Sequence, residues 1–317
     1  MNLQKYLYLL LLFLFVGVMT AHAQIPSCSA ASQFYSKDSI NLTTFGASTV
    51  HGMYGHSFQP YLQENLERCY TGKVVTITNN GIPGETTTEG LKRFPAAIAH
   101  RTGFMLIQMG ANDVMAMANK KMKVSETEKN MKYYLQTSIK SGLIPIVGTL
   151  QFFNDKNDRY FKTCNLYVKQ VNALYKKLAS EYHAYVADIN KGLGRDFGLY
   201  ADFIHPNEAG YRLISCIWFD AVNQAIEDKL LLVGLNQNYP NPVRANAKIG
   251  FSLAQEGKVI IQLYNMNGAM VRTLYDEYQG AGYHEIPFSV SGLSPGIYVY
   301  IMQVGGQRLS KKMLIAR

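Results

Sequence analysis

Between residues 38 and 228 short apolar runs alternate with longer stretches whose apolar positions recur every three to four residues. The runs INLTTFG (40–46), KVVTITN (73–79), FMLIQMG (104–110), LIPIVGTL (143–150) and AYVADI (184–189) have the length of buried strands. The stretches QPYLQENLERCY (59–70), TTTEGLKRFPAAIA (86–99), SETEKNMKYYLQTSIKSG (125–142) and YFKTCNLYVKQVNALYKKLASEYH (160–183) read as helices. NEAGYRLISCIWFDAVNQAIEDKL (207–230) closes the series, with Leu213, Cys216, Ile217, Ala221 and Ile226 approximating one apolar face. Strands and helices that alternate over short links predict a parallel sheet covered on both faces, a three-layer α/β/α sandwich.

The pattern changes after Leu232. LNQNYPNP (235–242) is turn chemistry throughout, and only short strand patterns follow, such as KIGFSL, KVIIQLYN, GIYVYIMQV and LSKKMLIA. Turn signals at Asn267-Gly268, Gly280–Gly282, Ser294-Pro295-Gly296 and Gly305-Gly306 separate them. A small β-sandwich is expected, with the boundary near 230–236 and the two units at 24–231 and 232–317.

At the other end, Lys5, the apolar run Tyr6–Met19 and Ala21-His22-Ala23 have the order of a secretory signal and its cleavage site, at residues 1–23. The run is shorter than the roughly 20 residues that cross a bilayer, so cleavage is expected and no integral span after it. The composition, 48% hydrophobic and 17% charged, is that of a globular protein. A net charge of +9 is spread without runs longer than pairs such as Lys120-Lys121 and Lys311-Lys312, so no nucleic-acid partner is expected. Cys28, Cys69, Cys164 and Cys216 allow three full pairings, and buried thiols are as plausible as disulfides.

Ligands of such sheets bind at the carboxyl ends of the strands. Here the first end is FGASTVHG, exposing Ser48; the second is NNGIPGETT, a glycine turn at Gly81 and Gly84; the third is GAND, with Asn112 and Asp113. The fourth is QFFNDKND, with Phe152 and Phe153, and DFIHPN, with Asp202 and His205, lies beyond the fifth. Together they supply the parts of acyl transfer. Ser48 is the nucleophile, His205 the base and Asp202 the group that orients the imidazole. The Ser48 N–H, the Gly81 N–H and the Asn112 amide are the oxyanion donors. Phe152 and Phe153, with a Met-rich rim VMAMANKKMKV (114–124), are candidates to cover the substrate. Singly, each has a plainer use: Ser48 as a cap, the glycines as turn formers, Asn112 and Asp113 as caps, the phenylalanines as core. A metal site at His51 and His56 is the rival, but no carboxylate cluster accompanies it. The G-x-S-x-G elbow is missing, which disfavours the α/β-hydrolase fold.

The blocks FGAST, NNGIPGETT, MGAND and DFIHPNEAGY, in that order, resemble those of the SGNH or GDSL-type esterases and lipases, over roughly residues 38–228. The resemblance implies a flavodoxin-like fold and a serine ester hydrolase needing neither metal nor organic cofactor. Its namesake residues are Ser48, Gly81, Asn112 and His205, with Asp202 as triad acid. Ala47 stands where the family usually has Asp. In flavour the chain is closest to the lysophospholipase, thioesterase and arylesterase branch, so the substrate is a lysolipid or other acyl ester. An O-acetyl esterase on polysaccharide and a non-catalytic glycan-binding module are the alternatives. LNQNYPNP, IIQLYNMNGAMVRTL and LSPGIYVYIMQVGGQRLSKKMLI resemble the sorting domain of type IX secretion. That implies an immunoglobulin-like sandwich over 232–317, the type IX machinery as partner, and a secreted or surface-bound product.

Overall fold

The computed structural model describes residues 25–316, so the expected signal at 1–23 lies outside the described residues. In chain order the first part contains β1 (Ser39–Gly46), α1 (Ser48–His51), α2 (Gln59–Cys69), β2 (Val74–Gly81), α3 (Thr87–Gly90), α4 (Phe94–Ile98) and β3 (Phe104–Gln108). Then come α5 (Ala111–Ala118), α6 (Val124–Lys140), β4 (Ile144–Gly148), α7 (Arg159–Glu181), β5 (Tyr185–Ala187), α8 (Ile189–Leu193) and α9 (Glu208–Lys229). The strands form one parallel sheet in the order β2-β1-β3-β4-β5.

The sheet is sandwiched because its strands are apolar on both sides. β3 is buried at every position. Its Phe104 and Leu106 join Ile40, Leu42 and Ile146 in a core closed by Leu62 and Leu66 of α2 and Trp218 and Val222 of α9. Met105 and Ile107 face the opposite way, with Phe45 and Val147, towards Tyr134 and Leu135 of α6 and Val171 and Tyr175 of α7. Two expected elements come out shorter. β5 keeps only three residues of AYVADI, because Asp188 caps α8 through a bond from Lys191 N. The single helix expected over 86–99 is two, α3 and α4. Pro95 is tolerated in the first turn of α4, where its missing N–H costs nothing.

The rest is antiparallel: β6 (Gly234–Leu235), β7 (Asn246–Leu253), β8 (Gly257–Asn265), β9 (Met270–Gln279), β10 (Gly282–Ser289), β11 (Gly296–Val304) and β12 (Gln307–Ile315). They form sheets ordered β10-β7-β6 and β12-β11-β8-β9. Ile249 and Phe251 from one meet Val259, Ile261, Leu263, Tyr300 and Met302 from the other in a separate core. Residues 34–36 pair with the stretch after α9, through Ser36 N to Leu230 O and Leu232 N to Phe34 O, both 2.8 Å. Cys28 and Cys69 form a disulfide that ties the chain before β1 to α2, while Cys164 and Cys216 are not disulfide-bonded.

Candidate active site

Gly46, Gly81 and Gln108 are in register across β1, β2 and β3, so the ends of these strands are level. The chain order places the switch in strand sequence between β1 and β3, where such sheets open a crevice. β1 turns at once into α1, and Ser48 is the first helical residue. Gly46 is needed there, since a Cβ would lie 2.2 Å from Gln108 O. Ala47, at the cap position, offers no side-chain bond, and a first-turn N–H such as that of Ser48 has no acceptor within its helix.

DFIHPN folds on itself before it meets anything else. Asp202 Oδ1 accepts from the N–H groups of Ile204 (2.8 Å) and His205 (2.7 Å), an Asx-type turn. That turn brings Oδ2 to 2.6 Å from His205 Nδ1, and His205 Nε2 to 2.8 Å from Ser48 Oγ. An ionised carboxylate only accepts, so Nδ1 carries the proton and Nε2 is left to accept from the Ser48 hydroxyl. Partial burial acts to raise the Asp202 carboxyl. The His205 ring, the two N–H groups and the Tyr54 hydroxyl outweigh it and bring the pKa down to about 2. A buried relay holds this arrangement from beneath: Gln108 Nε2 donates to Gln151 Oε1, and Gln151 Nε2 to Thr49 Oγ1 and Ile204 O. It joins β3, the end of β4, α1 and the His205 loop.

Ser48 and His205 open onto a cavity of about 190 Å³ lined by Met53, Pro83, Gly84, Asn112, Met115 and Phe203. Three expectations are corrected here. Gly81 does not line the cavity. Its N–H is bound to Asn79 Oδ1 at 2.9 Å, and a Cβ on it would lie 2.1 Å from His51 N, so its smallness serves the packing of α1 on β2. Gly84, in the same turn, faces the cavity at φ +83, and no described group accepts from its N–H. Phe153 is wholly buried, stacked on Phe161, and Phe152 lies under the Arg195 guanidinium; Phe203 is the ring at the cavity. The first five residues of the Met-rich rim belong to α5, whose Val114 and Met117 are core, and only Met115 of the rim's methionines reaches the cavity.

Asn112, in the first turn of α5, lines the cavity and gives one Nδ2 hydrogen to Glu85 O at 2.8 Å, which leaves the other. Its neighbour Asp113 turns inward and is wholly buried, accepting from Thr87 N (2.9 Å), the Thr87 hydroxyl and Thr127 Oγ1 (2.8 Å). Burial raises its carboxyl, against the lowering effect of those bonds. This knot clamps α3 to α5 and so fixes the turn carrying Gly84. Arg93 adds bonds to Gly46 O, Asn80 O and Glu85. His51 Nδ1 lies 3.2 Å from Gly81 O, while His56 is held by a backbone pair with Met53.

Residues 44–213 match the GDSL-like lipase/acylhydrolase family, and residues 237–316 match a secretion system C-terminal sorting domain. The sorting domain indicates export across an outer membrane to the cell surface or exterior, and engagement of the secretion machinery. Among solved structures, an acetylxylan esterase from Geobacillus stearothermophilus is similar at 19% identity and TM-score 0.50, covering 59% of this chain and 96% of its own. A lipase/acylhydrolase from Enterococcus faecalis is similar at 20% and 0.50, covering 59% and 95%. At these identities the likeness is one of fold. No curated protein matches the chain.

Proposed function

The chain belongs to the GDSL-like lipase/acylhydrolase family and is a carboxylic ester hydrolase, and from that premise we propose that Ser48, His205 and Asp202 are its catalytic triad and that it cleaves esters of short acyl groups, acetyl on polysaccharide foremost. Ser48 Oγ attacks the ester carbonyl while His205 Nε2 takes its proton, and Asp202 steadies the imidazolium that forms. The carbonyl oxygen becomes an oxyanion held by the Ser48 N–H, the Gly84 N–H and the free Asn112 Nδ2 hydrogen. Collapse expels the alkoxide, to which His205 returns the proton. Water, activated by the same imidazole, then releases the acid and restores Ser48.

The observation that carries the short-acyl reading is the cavity beside Ser48. About 190 Å³ lies below the roughly 300–1,000 Å³ of pockets that enclose drug-sized ligands. The solved relative named as an acetylxylan esterase shares the fold and fits this reading. A lysophospholipase or arylesterase reading has its own support: Tyr54, Ile82 and Phe203 are exposed apolar groups in the loops around the site, where a longer chain or an aryl group could rest.

The test is a p-nitrophenyl ester series, acetate through long-chain acyl, with wild type and Ser48→Ala side by side. The expected result is a rate that falls steadily beyond the shortest chains, and no turnover by the variant. A maximum at long chains would overturn the short-acyl reading, and a fully active Ser48→Ala the triad itself.

A further inference from the structure

Residues 53–56 form a two-residue hairpin turn. Met53 N donates to His56 O (2.9 Å) and His56 N to Met53 O (3.0 Å), with Tyr54 and Gly55 at φ +55 and +78. Two central residues of positive φ are the signature of the type I′ turn, whose usual occupants are Asn-Gly, Asp-Gly or Gly-Gly. Gly55 suits its place. Tyr54 does not, because a bulky side chain is disfavoured in the left-handed region. A local rule broken without local gain points to what the side chain reaches.

The Tyr54 hydroxyl reaches Asp202 Oδ2 at 2.7 Å, across 148 residues of sequence, and its ring stands edge-on to His205 at 6.2 Å. Tyr54 thus donates to the same oxygen that His205 Nδ1 approaches. Building on the triad reading above, we propose that Tyr54 is a positioning residue, which fixes the Asp202 carboxylate and moderates how strongly it holds the His205 imidazolium. With the phenol in place, Oδ2 shares its lone pairs between two donors. The imidazolium is then held firmly enough to form and loosely enough to return its proton to the leaving alcohol. Tyr211, the other phenol that senses Asp202, is buried and kept protonated chiefly by that burial.

Two variants separate this role from a structural one. Tyr54→Phe keeps the ring and loses the donor. Kcat should drop roughly twofold to tenfold, the net worth of one ordinary hydrogen bond, since Tyr54 is exposed, with KM little changed. The acid limb of its kcat/KM profile should move to higher pH, because Asp202, short of a donor, holds the imidazolium more tightly. Tyr54→Asn installs a residue the turn prefers, so Tm should hold or rise while kcat falls as in Tyr54→Phe. The downfield proton resonance of His205 Nδ1–H should shift in both variants. That readout needs no turnover, so it separates failure of this proposal from failure of the triad reading. An unmoved resonance and acid limb in Tyr54→Phe would overturn the proposal. So would a higher KM at unchanged kcat, which would make Tyr54 a substrate contact, or a Tyr54→Asn variant as active as wild type.

Discussion

The two parts of the chain bury polar groups very differently. In the C-terminal sheets the wholly buried polar residues among those described are Asn238 and Ser252, around a core of Ile249, Phe251, Leu263, Tyr300 and Met302. In the α/β part Thr49, Gln59, Thr87, Gln108, Asp113, Thr127, Asn130 and Gln151 are all buried, and they gather under the carboxyl edge of the sheet. A buried polar group costs free energy unless it is bonded, so a fold that only had to be stable would gain little from such a cluster. Bonded to one another, as Asp113 is to Thr87 and Thr127 and Gln151 to Gln108 and Thr49, they fix loop positions more narrowly than apolar packing does. The α/β part carries that cost where precise placement matters; the sheets beyond it do not.

The sharpest test of that contrast is Ser48→Ala. It removes one oxygen from the edge of the cluster, so Tm should be unchanged while kcat falls about 10⁴-fold or more. Asn112→Ala comes next. Losing one oxyanion donor typically costs on the order of 10²–10³ in kcat. The loss should fall on kcat rather than KM, because the oxyanion exists only past the ground state. If instead KM rises and kcat holds, Asn112 grips the substrate and not the oxyanion.

Acidity gives a smaller, graded effect. The folded-state pKa of Asp202 is depressed to about 2, below the ordinary value near 4 for aspartate. Whatever stability its bonds contribute is therefore present above about pH 4 and lost as pH falls towards 2. Equilibrium unfolding of wild type and Asp202→Asn between about pH 6 and pH 2 checks this: the wild type's advantage should be constant above about pH 4 and shrink below it. An advantage that does not change with pH would mean that Asp202 is not held ionised.

Most of this was legible in the sequence, and the gaps share a cause. The strand runs and helical spacings placed the five strands and the long helices α2, α6, α7 and α9 because each signal is local, down to the apolar β3, whereas α5, only eight residues long, was expected as a rim and not as a helix. Asp202 and His205 were legible for the same reason: D-x-x-H closes its own turn through Ile204 N and His205 N. The choice between Gly81 and Gly84 was not local. Only the Asn79 side chain and the His51 backbone, both brought in by folding, show that the Gly81 N–H is taken and its space filled. Gly81→Ala tests this: it should cost about 1–3 kcal/mol by overpacking and lower kcat severalfold as α1 shifts. Gly84→Ala meets open space and should cost in stability only the strain of its positive φ, about 1–2 kcal/mol. Likewise, which phenylalanine meets the cavity depends on a stack in which Phe161 lies 4.8 Å from Phe203 and 5.5 Å from Phe153. Tyr54 could not be seen at all, since it stands at no strand end and only the folded turn at 53–56 aims its hydroxyl at Asp202.

The smallest effect expected on turnover comes from removing the larger change in sequence, everything beyond Val233. α9 begins beside the site, where Asn207 caps it two residues after His205, and it ends at Lys229, next to the first contacts with the C-terminal sheets. Its 22 residues span about 33 Å. The pairing of 34–36 with Leu230 and Leu232 would survive such a cut, so the floor of the α/β part stays closed. Sites so far apart, with no shared partner, behave independently to within about 0.5 kcal/mol, roughly twofold in rate. The shortened chain should therefore keep kcat/KM for p-nitrophenyl acetate within about twofold, even if Tm drops as Phe34 loses its contact with Gly234. A tenfold loss at a temperature where the shortened chain is still folded would break the comparison: the C-terminal sheets would then hold the far end of α9, and through it His205, in place.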